Sequence, residues 1–406
     1  MLPNIFIQDY DYAISNDKIA LHPTDKRDES KLLVYKNKSI SHLIFNELPS
    51  VLPENCFLIF NNTKVIPARI FLSKTTGTPI ELFLLRPITA EALSDQINFI
   101  QNEITWECLI GNKKRWRESE VLTESINLNG EIIDLIFSWE NRLENKVKIS
   151  WNLSNSFADI LTCLGKIPLP PYIERTSEED DSERYQTVFS KELGAVAAPT
   201  ASLHFSEEIM NQLVESGVKT DFLTLHVGAG TFLPVKVEDV SDHPMHREQM
   251  IFTPLIIEKI MQHDGAFVPV GTTALRALES LYWSGVYLIE NSFKIDGVFT
   301  LKKEFPYLKR DQFITRNEAL EAILKYMELN HLQKWVSETE LLIMPGYQFH
   351  FCDALITNFH QPKSTLLVLI SALLGGDWKP VYQSALQSNY RFFSYGDSSI
   401  LFNHSK

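Results

Sequence analysis

Apolar and polar positions alternate differently in three stretches of the chain. Between residues 31 and 66, compact apolar runs such as Leu32 to Tyr35 and Cys56 to Phe60 stand between polar breaks and predict strands. From Ile70 to Trp151 the rhythm shortens. Strand-like runs at 79–85, 105–110, 125–128, 132–139 and 146–151 follow one another, separated by turn residues and with little helical periodicity. Asn129-Gly130 between two such runs is a hairpin signal. This stretch predicts a small antiparallel β-barrel. After Phe157, helix-length amphipathic segments alternate with short apolar strands, the pattern of β/α units on a largely parallel sheet. The fold class is therefore α/β. A main α/β domain is expected at 1–69 and 152–406, with an all-β domain inserted at 70–151. Pro-Leu-Pro-Pro at 168–171 should be rigid and extended, and the acidic run at 178–183 a surface loop.

Polar residues collect where strands of the second half hand over to helices, the place where α/β proteins bind ligands. At the first junction, small residues and Thr200 lead to His204, and Ser206 looks like a helix N-cap. The second places Thr224 and His226 on one strand face and runs into Gly228, Ala229, Gly230 and Thr231. The third runs through Gly271 to Thr272 and Thr273, either of which would cap a helix whose first turn holds Arg276. Free N–H groups there and the guanidinium suit a carboxylate or phosphate, unless Arg276 is tied to a structural acid such as Glu279. At the fourth, a strand ends at Asn358 and His360 and Ser364 caps an apolar helix. His246, in a Pro-containing loop, either reaches into a cleft or sits on the surface.

Histidine is the natural acid–base near neutral pH, and His204, His226 and His360 each lie at a strand end. The competing readings make His204 a satisfied structural histidine and the glycines after His226 a tight turn without a ligand. No His-x-x-x-His or His-x-His spacing supports a metal site, and a Gly-x-Ser-x-Gly elbow, a phosphate loop and a full dinucleotide fingerprint are all missing. The cysteines Cys56, Cys108, Cys163 and Cys352 are too widely spaced for a zinc knuckle and read as reduced thiols of a cytoplasmic protein. No apolar run reaches the ~18 residues of a membrane span, and residues 1–11 lack the pattern of a leader. A net charge of −13 argues against broad coating of nucleic acid. It leaves room for one local patch at Lys113, Lys114, Arg115, Trp116 and Arg117, which otherwise reads as a solvated loop.

The junctions, together with residues 60–69 (Phe-Asn-Asn-Thr-Lys-Val-Ile-Pro-Ala-Arg), 166–173 (Lys-Ile-Pro-Leu-Pro-Pro-Tyr-Ile), 183–189 (Glu-Arg-Tyr-Gln-Thr-Val-Phe), 345–347 and 390–397, resemble the S-adenosylmethionine:tRNA ribosyltransferase-isomerases of queuosine biosynthesis across nearly the whole chain. The resemblance implies an α/β barrel carrying an inserted antiparallel β-barrel. It implies transfer and isomerisation of the ribosyl group of S-adenosylmethionine onto 7-aminomethyl-7-deazaguanine at the wobble position of tRNA. The products would be epoxyqueuosine, adenine and methionine, with no metal or cofactor and a monomeric enzyme. On that reading His204, His226 and His360 share the proton transfers, in an order the sequence leaves open. Gly228 and Gly230 approach the nucleoside, with Ala229 and Thr231 beside them. Thr272, Thr273 and Arg276 hold the methionine carboxylate, and Thr200, Thr224 and Asn358 orient polar groups. Arg391 and Asp397 order the C-terminal wall or touch tRNA, and Trp116 stacks on RNA within the basic cluster. Departures from the family pattern stand at Leu21, Lys31, Lys64, Ser202 and Gln361. Two alternatives are a non-catalytic tRNA-binding paralogue, motivated by Ser202 and Gln361, and an S-adenosylmethionine-dependent tRNA methyltransferase, disfavoured by the lack of a full Gly-rich loop.

Overall fold

In the computed structural model, residues 4–88, 93–228, 230 and 235–405 are described. Ala229 and Thr231 fall outside them. The protein is mixed α/β, with one antiparallel sheet set apart from the rest.

That sheet is built from strands Arg69–Ser73, Pro79–Pro87, Ile100–Gly111, Leu122–Leu128, Glu131–Asn141 and Lys146–Ser156. Leu122–Leu128 comes round to approach Arg69–Ser73, so the sheet nearly closes on itself as a barrel. Alternation drives the closure: along Glu131–Asn141, Ile133, Leu135 and Phe137 are buried while Ile132, Asp134 and Ile136 face out. Asn129 and Gly130 form the two-residue hairpin turn with φ of 54° and 94°. Helix Phe157–Leu164, capped by Ser156, inserts Phe157, Ile160 and Leu161 into the same core. A short helix, Leu93–Asn98, interrupts the β-rich stretch and escaped the periodicity reading, because six residues span too few turns to show a stripe. The chain enters and leaves this module at one point, where Arg69 and Lys166 exchange backbone hydrogen bonds.

The main body holds two larger sheets. One runs, in spatial order, through Ala354–Asn358, Ser398–Phe402, Lys31–Lys36 and Ser39–Ile44. The other runs through Ala266–Pro269, Cys56–Asn61, Lys219–Leu225, Glu248–Phe252, Trp335–Thr339 and Thr300–Leu301. A parallel bridge between Val270 and Ile356 joins them. The expectation of a largely parallel sheet is corrected here. Lys219–Leu225 pairs antiparallel to Glu248–Phe252, and Glu248–Phe252 antiparallel to Trp335–Thr339. The first of these turns has no crossover helix between its strands among the described residues, and parallel pairing needs such a crossover.

Helix Thr272–Glu290 lies deep in the main core, with Leu275, Leu278, Leu281 and Tyr282 all buried. Its N-cap is Gly271, with no side-chain cap, so neither Thr272 nor Thr273 closes the helix start. Ser206 and Ser364 do cap their helices, accepting from the N–H groups of Ile209 and Leu367. The acidic run is also not a free loop. Asp181–Arg184 is a helical turn, and buried Asp181 accepts two hydrogen bonds from Arg175 and one from the Tyr395 hydroxyl.

Candidate active site

The ends of Lys219–Leu225, Ala266–Pro269 and Ala354–Asn358 gather at one edge, together with the Thr200–His204 turn. Two cavities open there, and Val227 lines both. The smaller, about 70 Å³, is walled by Thr200, Thr272, Thr273, Asn358 and His360. The uncapped start of helix Thr272–Glu290 adds backbone donors to that wall. Tyr172 and Phe393, with ring centroids 4.8 Å apart, supply an aromatic side, and the Tyr172 hydroxyl meets the Ser394 hydroxyl at 2.6 Å. The larger cavity, about 510 Å³, lies between the β-module and the main body. Leu85, Arg86 and Glu107 of the module face His226, Gly228, Gly230 and His246 across it.

The three predicted histidines have different surroundings. His204 is buried with both ring nitrogens engaged. Asn358 donates its amide to the carbonyls of Phe393 and Ser394, which turns its Oδ1 toward His204 Nε2 at 3.0 Å. Nε2 therefore carries the proton, and Nδ1 accepts from the Ser30 hydroxyl at 2.8 Å. Burial pushes its pKa down to about 4, against the opposing effect of the Asn358 hydrogen bond.

His226 is buried too, and burial pushes its pKa down to about 3. Its Nδ1 lies 2.9 Å from Thr63 Oγ1, and its Nε2 has no hydrogen-bond partner among the described residues. Thr63 also reaches the Glu192 carbonyl at 3.4 Å. With its proton directed there, the hydroxyl accepts from Nδ1–H and leaves a bare lone pair on Nε2. The strand is pinned by its neighbours. Asn61 exchanges hydrogen bonds with the Leu225 backbone, and Asn62 accepts from the Thr224 hydroxyl at 2.8 Å. Thr224 is thus a buried anchor and lines neither cavity. Asn61, Asn62 and Thr63 belong to the 60–69 motif, but nothing in their spacing pointed to His226. At Gly194 an added Cβ would lie 2.2 Å from Leu93 and 2.8 Å from the His226 ring, so a glycine is required for the ring to sit there.

His360 lines the small cavity, with Nε2 2.9 Å from Thr357 Oγ1 and its backbone N–H donated to Tyr382. Burial lowers its pKa to about 3.

Arg276 lines neither of these two cavities. Its buried guanidinium pairs with buried Glu248 and donates to the Leu341 carbonyl, so the acid it meets is Glu248 and not Glu279. Glu279 instead accepts the N–H groups of His350 and Phe351. Glu248 is held down to about 2: burial raises its pKa, but Arg276 and His246 outweigh that. Asp397 is buried and accepts the N–H groups of Lys31 and Arg391, tying the C-terminal segment to the first strand, while Arg391 donates to the His22 carbonyl.

In the basic cluster, Lys114, Arg115 and Arg117 are exposed. Lys113 is bound to Asn145 at 2.5 Å. Trp116 cannot stack on a ligand. It is 0% exposed, 4.3 Å from Trp139 between ring centroids, and donates to the Glu120 carbonyl. The apolar face of the near-barrel needed a large side chain at that point, and an isolated aromatic among cations does not reveal which way it turns. Of the departures, Ser202 is buried with no partner for its hydroxyl among the described residues, and Gln361 lines the small cavity.

Comparison with known proteins decides the family. A family model described as queuosine biosynthesis protein matches residues 7–401. A protein of Trichlorobacter lovleyi named S-adenosylmethionine:tRNA ribosyltransferase-isomerase is 34% identical over 98% of this chain and 100% of its own. The chain belongs to the S-adenosylmethionine:tRNA ribosyltransferase-isomerase family. Proteins of the same name from a Sulfurihydrogenibium species and from Desulfitobacterium hafniense are 36% and 37% identical, each over 97% of this chain and 99% of the relative. A crystal structure of an S-adenosylmethionine tRNA ribosyltransferase from Thermotoga maritima aligns at 22% identity over 97% of this chain and 99% of that one, with a TM-score of 0.44. The segments of this ribosyltransferase-isomerase family member that carried the resemblance now have places: 60–69 behind His226, 390–397 beside Asn358, and the four junctions around the two cavities.

Proposed function

We propose that this protein transfers and isomerises the ribosyl group of S-adenosylmethionine onto 7-aminomethyl-7-deazaguanine at the wobble position of tRNA. The products are epoxyqueuosine in tRNA, adenine and methionine. It acts as a cytoplasmic monomer, with S-adenosylmethionine as substrate and side chains alone moving the protons. Family membership supports the reaction, and one observation supports the site: buried, neutral His226, whose Nε2 has no hydrogen-bond partner among the described residues, lines a cavity large enough for a nucleoside.

The sulfonium acidifies the ribose methylene next to it and makes methionine a neutral leaving group. One proton leaves that methylene, one leaves the amine as nitrogen bonds to carbon, and adenine takes one up. One proton is therefore released as the sulfonium charge disappears. His226 Nε2 is the base for the methylene. Because Val227 lines both cavities, the nucleoside can sit beside His226 while the methionine end reaches the start of helix Thr272–Glu290. There Thr272, Thr273 and backbone N–H groups hold the carboxylate, since Arg276 is committed to Glu248. His360 shapes that small cavity. His204, with both nitrogens engaged, positions Asn358 rather than moving protons. Lys114, Arg115 and Arg117 contact the tRNA backbone.

Incubation with S-adenosylmethionine and tRNA bearing the aminomethyl-deazaguanine base tests the reading. Adenine and a heavier tRNA are expected. S-adenosylhomocysteine as the product would make the protein a methyltransferase, and tRNA binding without adenine a non-catalytic paralogue.

A further inference from the structure

The reaction needs a proton donor for adenine as well as a base, and His226 is a poor donor because burial keeps it neutral. His246, on the same cavity wall, has the surroundings of a donor. Its Nε2 lies 3.3 Å from Glu248 Oε1, the oxygen that also accepts the Gly228 N–H at 3.2 Å. The other carboxylate oxygen of Glu248 pairs with Arg276. The carboxylate is thus ionised and fixed from two sides, and it fixes the imidazole. The ring rests against Gly230, where an added Cβ would lie 2.4 Å from His246 Nδ1. The Gly-x-Gly after the His226 strand therefore makes room for a histidine of the protein itself.

Nε2 is bound to Glu248, and Nδ1 is the ring nitrogen with no hydrogen-bond partner among the described residues. We propose that His246 is a second catalytic residue, the general acid that protonates departing adenine, with Glu248 as its positioning residue. The C–N bond to adenine breaks and its electron pair stays on the adenine nitrogen. That pair takes the Nδ1 proton, and the N–H electrons remain on a now neutral imidazole. The imidazole is recharged by one of the protons that leave the methylene and the amine. This inference rests on the reaction proposed above.

Three proteins are compared: wild type, His246→Gln and His246→Ala. Each is assayed for adenine release with modified tRNA, for S-adenosylmethionine affinity by calorimetry, and for unfolding midpoint. His246→Gln keeps a donor for Glu248, so it preserves the fold should His246→Ala not. Adenine release should fall on the order of 100-fold or more in both variants, with S-adenosylmethionine affinity within about threefold of wild type. Added imidazole should restore part of the rate in His246→Ala. Release within about threefold of wild type in His246→Gln overturns the proposal. So does a loss that tracks S-adenosylmethionine affinity and is not rescued by imidazole, which would make His246 a binding or structural residue. If the wild type itself releases no adenine, the reaction assignment fails. If wild type and His246→Gln release it equally, this inference alone fails.

Discussion

His204 Nε2 donates to Asn358 Oδ1 at 3.0 Å, and Asn358 passes the constraint on by donating to the carbonyls of Phe393 and Ser394. The chain of bonds begins at Ser30 and ends at the wall of the small cavity, so four distant segments are held by one buried, neutral imidazole. His204→Ala should cost about 2–4 kcal/mol, because it leaves a cavity and strands the Ser30 hydroxyl and the Asn358 oxygen. Urea unfolding measures this. A loss below about 1 kcal/mol combined with abolished adenine release would make His204 a proton carrier instead.

Acid should destabilise the protein through its buried histidines. His204, His226 and His360 are held neutral, with pKa values near 4, 3 and 3, whereas in the unfolded chain they take up protons below about 6.5. The unfolded state binds more protons between those values. The contribution is therefore complete above pH ~6.5 and is lost as pH falls toward 4, at up to ~1.4 kcal/mol per pH unit for each histidine. Urea midpoints at a series of pH values test it. His204→Gln should show a shallower fall than wild type, and an identical slope would count against His204 as a contributor.

The Glu248–Arg276 pair has both side chains buried, and Glu248 also bonds Gly228 and His246 of the larger cavity's wall. Arg276→Met should destabilise by about 3–5 kcal/mol, since it leaves a buried carboxylate without its cation. Equilibrium unfolding reads the loss. A near-neutral change would show that Glu248 is protonated in the fold, contrary to its depressed pKa.

The cluster on the β-module divides into two roles. Replacing Lys114, Arg115 and Arg117 with Ala together should leave the unfolding midpoint unchanged and weaken tRNA binding. The slope of log affinity against log salt should drop by roughly 0.7–0.9 for each phosphate contact removed. Trp116→Ala should instead destabilise the module by about 3–5 kcal/mol. Filter binding across a salt series separates the two. Unchanged affinity in the triple variant would move the tRNA interface elsewhere.

Strand positions and the near-closed β-module were legible because alternation of apolar residues is a local signal. Ile133, Leu135 and Phe137 could turn inward only together. Caps with a hydroxyl, such as Ser206 and Ser364, were equally local. Strand direction was not legible, because pairing depends on where a chain returns after a long connection. The Glu248–Phe252 strand comes back antiparallel to Lys219–Leu225, with no α-helix between the two among the described residues. The side-chain partners of the site lay further from reach. Arg276 meets an acid 28 residues before it, and His226 meets Thr63, which is 163 positions away. No spacing rule joins such residues. Trp116 failed for a related reason: local charge hid its inward direction.

Adenine release by His226→Ala under single-turnover conditions, with S-adenosylmethionine and modified tRNA both saturating, bears most directly on the site. With the imidazole removed, release should fall on the order of 100-fold or more while the unfolding midpoint stays near that of wild type. Release at the wild-type rate from a folded His226→Ala protein would remove His226 from the chemistry and the larger cavity from the active site.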